Sequence, residues 1–95
     1  MTKVFWARTA EQDRADIFDF IAKDNPRAAI DMDERFAEAA GRLARYPELG
    51  KPGLVADTRE LIPHESYRLV YEVQQDTVWI LALVHTARMW PPKQS

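Results

Sequence analysis

Arg59, Arg68, His85 and Arg88 are the residues of this chain best suited to handling a phosphodiester, and the strand pattern gathers them at one end of a sheet. Arginine presents a fixed fork of donors to phosphate or carboxylate. Histidine is the natural general acid or base near neutral pH. Together such groups could bind a phosphodiester, activate a 2′-hydroxyl and stabilise a pentavalent transition state, which is metal-free RNA cleavage. The same residues have a plainer reading, because Arg68 and His85 on a solvated sheet face can simply pair with Glu60 or Glu72. Trp79 falls on that face as well, where a large aromatic can stack a base, fill a second small core or bury beneath a partner, and the partner is favoured. Arg59, Trp79, Lys51 and Trp90 are therefore the candidate partner-binding residues, while His64 beside Glu65 reads as a solvated turn residue.

The elements that position these residues follow from hydrophobic period. Lys3–Ala7 is short, aromatic and β-branched and reads as a strand. Thr9 and Gln12 form a potential capping box for a helix from Ala10 to about Lys23, with Ile17, Phe18 and Ile21 facing the core and Asp13, Asp16 and Asp19 facing solvent. Asn25 and Pro26 suit the N-cap and first position of a second helix reaching Arg45 or Tyr46. Its apolar side carries Ala29, Met32, Phe36, Ala40 and Leu43. A connection this tight makes the two helices antiparallel. Leu49–Asp57 is a loop, after which the period changes to two, predicting strands at Thr58–Ile62, Tyr67–Gln74 and Thr77–His85 and an irregular tail over about 89–95.

A two-residue turn at Gln75-Asp76 would set Arg68 opposite Leu83, Val70 opposite Leu81 and Ser66 opposite His85. The apolar face, with Leu69, Tyr71, Val73, Val78, Ile80, Ala82 and Val84, is then expected to receive the helices. The other face would carry Arg68, Val70, Glu72, Trp79, Leu81, Leu83 and His85, with Arg68 and His85 as diagonal neighbours about 7–8 Å apart. The face occupied by Arg59 stays open, because the register of its strand depends on the turn before Tyr67.

Composition bounds the function. Ninety-five residues, 46% hydrophobic and 29% charged, describe one ordinary globular domain. The absence of cysteine excludes disulfides, thiolate catalysis and Cys-based zinc sites, and two histidines without a metal-ligand spacing predict neither metal nor cofactor. The longest apolar run, Val78–Val84, is far short of a membrane span, and without a basic-then-apolar leader the expected location is the cytoplasm. A net charge of −2 supplies no global pull toward nucleic acid.

The order strand, helical hairpin, three antiparallel strands is an α+β fold, β-α-α-β-β-β, and resembles the RelE/ParE toxin superfamily. Several segments carry the resemblance. Asn25-Pro26-Arg27-Ala28-Ala29 is similar to the inter-helix turn, Tyr46-Pro47-Glu48-Leu49-Gly50 to a P-x-x-G near the end of the second helix, and Arg59-Glu60-Leu61 to an R-E-L strand. Tyr67–Val73 is similar to a Y-R-[IL]-[IV]-Y strand and Ile80–Arg88 to a closing I-L-x-[IV]-x-H-x-x-R. The resemblance implies a type II toxin neutralised by a cognate antitoxin, with operator DNA contacted only through the antitoxin. RelE-like relatives cut mRNA on the ribosome, and on that reading Arg68 and Arg88 would be catalytic with His85 as acid or base. ParE-like relatives inhibit DNA gyrase and need no nuclease residues. The acidic balance, the single lysine Lys51 in the loop, the lack of a tyrosine after Tyr71 and the alanine-rich helical hairpin look more like ParE. A non-toxic binding module on the same fold is the remaining alternative.

Overall fold

The computed structural model describes residues 2–87 and 91. Its elements are β1 (Lys3–Trp6), α1 (Arg8–Ala22), α2 (Pro26–Arg45), β2 (Lys51–Pro52), β3 (Arg59–His64), β4 (Tyr67–Gln74) and β5 (Thr77–His85). The expected β-α-α-β-β-β order holds, and the loop after α2 contributes a two-residue edge strand in addition. One sheet runs in the order β1-β5-β4-β3-β2. β1 pairs parallel to β5 and the other neighbours are antiparallel. Among the described residues no helix is long and apolar enough to cross a membrane.

The α2 start follows its sequence signals. The Ala28 N–H donates to Asn25 Oδ1 at 3.1 Å, and Pro26 occupies the first turn, where its missing N–H costs nothing. Arg42 and Arg45 in the last turn complement the helix dipole. The start of α1 differs from expectation: Ala7 is its N-cap and no side chain caps it. Thr9 instead donates its hydroxyl to the Leu81 carbonyl at 3.0 Å, and Gln12 donates to Asp16 at 2.8 Å. The hydroxyl thus satisfies a strand carbonyl and not the helix terminus.

The core lies between the helices and one sheet face. Ala29, Phe36, Ala39 and Leu43 of α2 and Ala10 of α1 pack on Tyr67, Leu69, Tyr71, Val78, Ile80 and Leu83. Ile17 and Met32 border this core, whereas Phe18 and Ile21, also expected in it, are only half-buried and Phe18 lines a groove between the helices. The small side chain of Ala10 lets α1 approach the sheet near its N-terminus. Arg14 ties the helices together with a bidentate pair to Asp33 at 2.6 and 2.9 Å, and its guanidinium lies 4.8 Å from the Trp6 ring centre.

The β4–β5 register is the main departure from the sequence expectation. Gln74–Thr77 through Tyr71–Ile80 pair as a two-residue turn requires, with Gln75 at φ 55°. The register then shifts, so that Val70 pairs with Ala82, Arg68 with Val84 and Tyr67 with His85. Leu81 is the extra residue of a β-bulge, and every side chain beyond it changes face. Leu83, expected on the open face, joins the helix-side core, while Ala82 and Val84, expected under the helices, form a second cluster with Val70 on the opposite side.

The bulge is accommodated because β1 ends there. The Ala7 N–H donates to the Ile80 carbonyl at 2.8 Å, and beyond it, among the described residues, β5 has no strand on that side. The first turns of α1 take over: Thr9 meets the Leu81 carbonyl, and the Leu83 N–H donates to Asp13 Oδ2 at 3.1 Å. Asp13 therefore faces the sheet and not solvent, as its place in an acidic helix face had implied.

Candidate functional site

Arg68 and Glu60 meet on the face of the sheet away from the helices. Glu60 pairs across the ladder with Val70, and Arg68 lies two residues before Val70 on the same side of the pleat. Arg68 Nη1 donates to Glu60 Oε1 at 3.3 Å, and the Leu54 N–H donates to Oε2 at 3.2 Å. Glu60 is only 5% exposed. The loop closes over it through Gly53 N–H to the Thr58 carbonyl at 2.8 Å and Thr58 Oγ1 to the Val55 carbonyl at 2.6 Å. A Cβ on Gly53 would collide with Thr58 Oγ1 and crowd Glu60 Oε2, so any larger residue would have to displace the side chains that close this loop. Arg68 Nε is buried with no partner. The guanidinium is thus held inward by a carboxylate, and a phosphate would have to compete with that charge.

His85 lies on the other side of the sheet. It pairs with Tyr67, a helix-side core residue, and the two rings meet edge-on at 5.3 Å. Its Nδ1 accepts the Ala87 N–H at 3.1 Å, which leaves Nε2 as the outward nitrogen. The imidazole borders a cleft of about 570 Å³ with Asp13, Asp16, Ile17, Phe20, Tyr67 and Leu83. The expectation that Arg68 and His85 share a face is corrected by the Leu81 bulge, which inverts the pleat between them.

Arg59 also belongs to the helix side, since it pairs with Tyr71. Its Nη1 donates to the Gly50 carbonyl at 2.7 Å and to the Glu48 carbonyl at 3.4 Å. Tyr71 clasps the same loop, donating to the Pro47 carbonyl and accepting the Gly50 N–H, both at 2.8 Å. Burial pushes the Tyr71 hydroxyl above its ordinary pKa, opposed by the Gly50 N–H and the Arg59 charge. Arg59 therefore organises backbone. Lys51 is exposed on β2 opposite Glu60. Trp79 stands on the open face, stacked on Phe5 at 5.1 Å. Arg88 and Trp90 lie outside the described residues, as does most of the expected tail. No group of three His, Cys, Asp or Glu residues that could hold a metal occurs among the described residues.

No local sequence signal marks Tyr71 as the clasp of the loop at Pro47 and Gly50, or Asp13 as the acceptor for the Leu83 N–H, whereas the Arg68–Glu60 pair is one the sequence offered, though on a solvated face.

The family model described as the ParE toxin of the type II toxin–antitoxin system parDE matches residues 4–90. The chain is 34% identical over 90 residues to the "Putative toxin Y4kP" of Sinorhizobium fredii, covering 94% of this chain and 93% of that one. It is 37% identical over 89 residues to "Toxin RelE2" of Caulobacter vibrioides, covering 94% and 100%. A solved chain of the chromosomal ParDE system from P. aeruginosa superposes with a TM-score of 0.77 at 21% identity, over 90% of this chain and 96% of that one. A chain of the RelBE2 toxin–antitoxin complex from Mycobacterium tuberculosis superposes with 0.59 at 29% identity, over 88% and 96%.

Proposed function

This chain belongs to the ParE toxin family of the RelE/ParE superfamily, and from that premise we propose that it arrests growth by inhibiting DNA gyrase and that a cognate antitoxin neutralises it. The observation that carries the gyrase reading is the separation of Arg68 from His85. A metal-free ribonuclease must bring a general acid or base and a phosphate-binding cation onto one scissile group. Here the exposed imidazole borders a cleft against α1, while the guanidinium is paired with buried Glu60 on the far face. The net charge of −2 agrees with a protein target more readily than with ribosomal RNA. Operator DNA is reached through the antitoxin.

Purified protein should be offered to gyrase with relaxed plasmid and ATP, and in parallel to translating ribosomes carrying mRNA. Inhibited supercoiling with intact mRNA is the expected result. Cleaved mRNA with unimpaired supercoiling would assign the chain to the nuclease branch instead.

A further inference from the structure

The face of the sheet away from the helices is covered more deeply than the described residues account for. Val70, Ala82 and Val84 form a cluster there and are 0%, 6% and 9% exposed. Arg68 Nε, on the same face, is shielded from water as well. Both helices pack on the opposite side. The loop of residues 53–58 closes over Glu60 on β3, which is two strands away from Ala82 and Val84 on β5. Among the described residues β5 also has no neighbour on its outer side beyond Ile80. A valine one residue from the end of such a strand is open to water from above and from the flank, unless something lies over it.

The nearest length of chain is the one that follows β5. Thr86 is fixed at the turn before β4, where its N–H donates to the Ser66 carbonyl at 2.9 Å and its hydroxyl to the Glu65 carbonyl at 3.0 Å. Residues 88–95 come next and include Met89 and Trp90. Three extended residues span roughly 10 Å, enough to carry Trp90 from Ala87 back over Val84 and Ala82. A residue that precedes proline, as Trp90 does, favours the extended backbone such a path needs. An indole brings on the order of 150–250 Å² of surface to bury, which suits a cluster of two valines and an alanine.

Two surfaces lie within reach of this segment. The cleft beside His85 presents Asp13 and Asp16, which would attract Arg88 or Lys93, yet it stands open at about 570 Å³. The opposite face is apolar at Val70, Ala82 and Val84 and is buried. Burial selects the second.

We propose that residues 88–95 strap the open face, with Trp90 seated over Val84 and Ala82, and that the strap keeps Arg68 out of reach of a phosphate or a partner while it is in place. The inference concerns the chain alone and does not depend on which target it disables.

Its test is methyl NMR on the isotope-labelled full chain, as wild type and as Trp90→Ala, with a soluble gadolinium chelate as the probe of exposure. The wild type should show nuclear Overhauser contacts from the Trp90 indole to the Val84 and Ala82 methyl groups, a measurement that does not depend on how the variant folds. In Trp90→Ala the chelate should relax the Val84 methyl groups about threefold faster than in wild type, while those of Leu43 in the helix-side core stay protected. Absence of the Trp90 contacts in the wild type would overturn the proposal, as would Val84 methyl groups equally protected in both proteins. Contacts that vanish on dilution would overturn it too, by assigning the cover to a second copy of the chain.

Discussion

Arg68 and His85 point to opposite faces of the sheet, although each pairs with the other's immediate chain neighbour, Arg68 with Val84 and His85 with Tyr67. One inserted residue, Leu81, accounts for this. Without it the arginine and the imidazole would lie diagonally on one surface; with it, the imidazole turns toward α1 and the guanidinium toward Glu60.

The bulge is held by α1 side chains, so removing them should cost stability. Asp13→Ala leaves the Leu83 N–H without its carboxylate acceptor, and the expected loss is about 1–3 kcal/mol in urea unfolding. Thr9→Val should cost about 1 kcal/mol by the same measurement. Asn25→Ala, which removes the cap of α2, should cost about 1 kcal/mol and serves as a comparison away from the bulge.

Glu60 and Arg68 should behave as a coupled unit. Arg68→Met strands a nearly buried carboxylate and is expected to destabilise the fold by on the order of 3 kcal/mol. The double variant Glu60→Leu/Arg68→Met should recover much of that loss, because two apolar side chains leave no buried charge. A double-mutant cycle measures the coupling, and additive effects would contradict it.

Tyr71→Phe removes one donated and one accepted hydrogen bond to the loop, and about 1–3 kcal/mol should be lost at neutral pH. The hydroxyl's pKa is raised in the folded state above its ordinary value of 10.0. The folded protein therefore retains this proton where the unfolded chain has begun to lose it. The corresponding stability is complete below pH 10.0 and declines as pH rises through the folded value. Unfolding followed from pH 9 upward should show this decline in the wild type and not in Tyr71→Phe.

Much of the fold was legible because its signals are local. Asn25-Pro26 marks the start of α2, and the alternation through Leu69, Tyr71, Val78 and Ile80 assigns the helix-facing side of the hairpin. The phase was lost at Leu81-Ala82-Leu83-Val84, where every side chain is apolar and a period of two carries no information about which face is which. Thr9 illustrates the same limit. Its spacing to Gln12 suits a capping box, but the carbonyl it meets lies 72 positions away in the chain, in a strand whose neighbour has ended. Arg59 could not be placed because the turn before Tyr67 decides its register, and the irregular pairing between Leu61 and His64 is of the kind that period alone does not reveal.

On the gyrase reading, toxicity does not pass through a centre made of Arg68 and His85. Its most direct test is growth arrest on induction of the double variant Arg68→Gln/His85→Ala, which leaves Glu60 and its hold on the Leu54 N–H in place, expressed at wild-type level and shown by circular dichroism to be folded. Arrest equal to wild type is predicted. Loss of arrest in the folded variant would contradict the account and return the chain to nuclease chemistry.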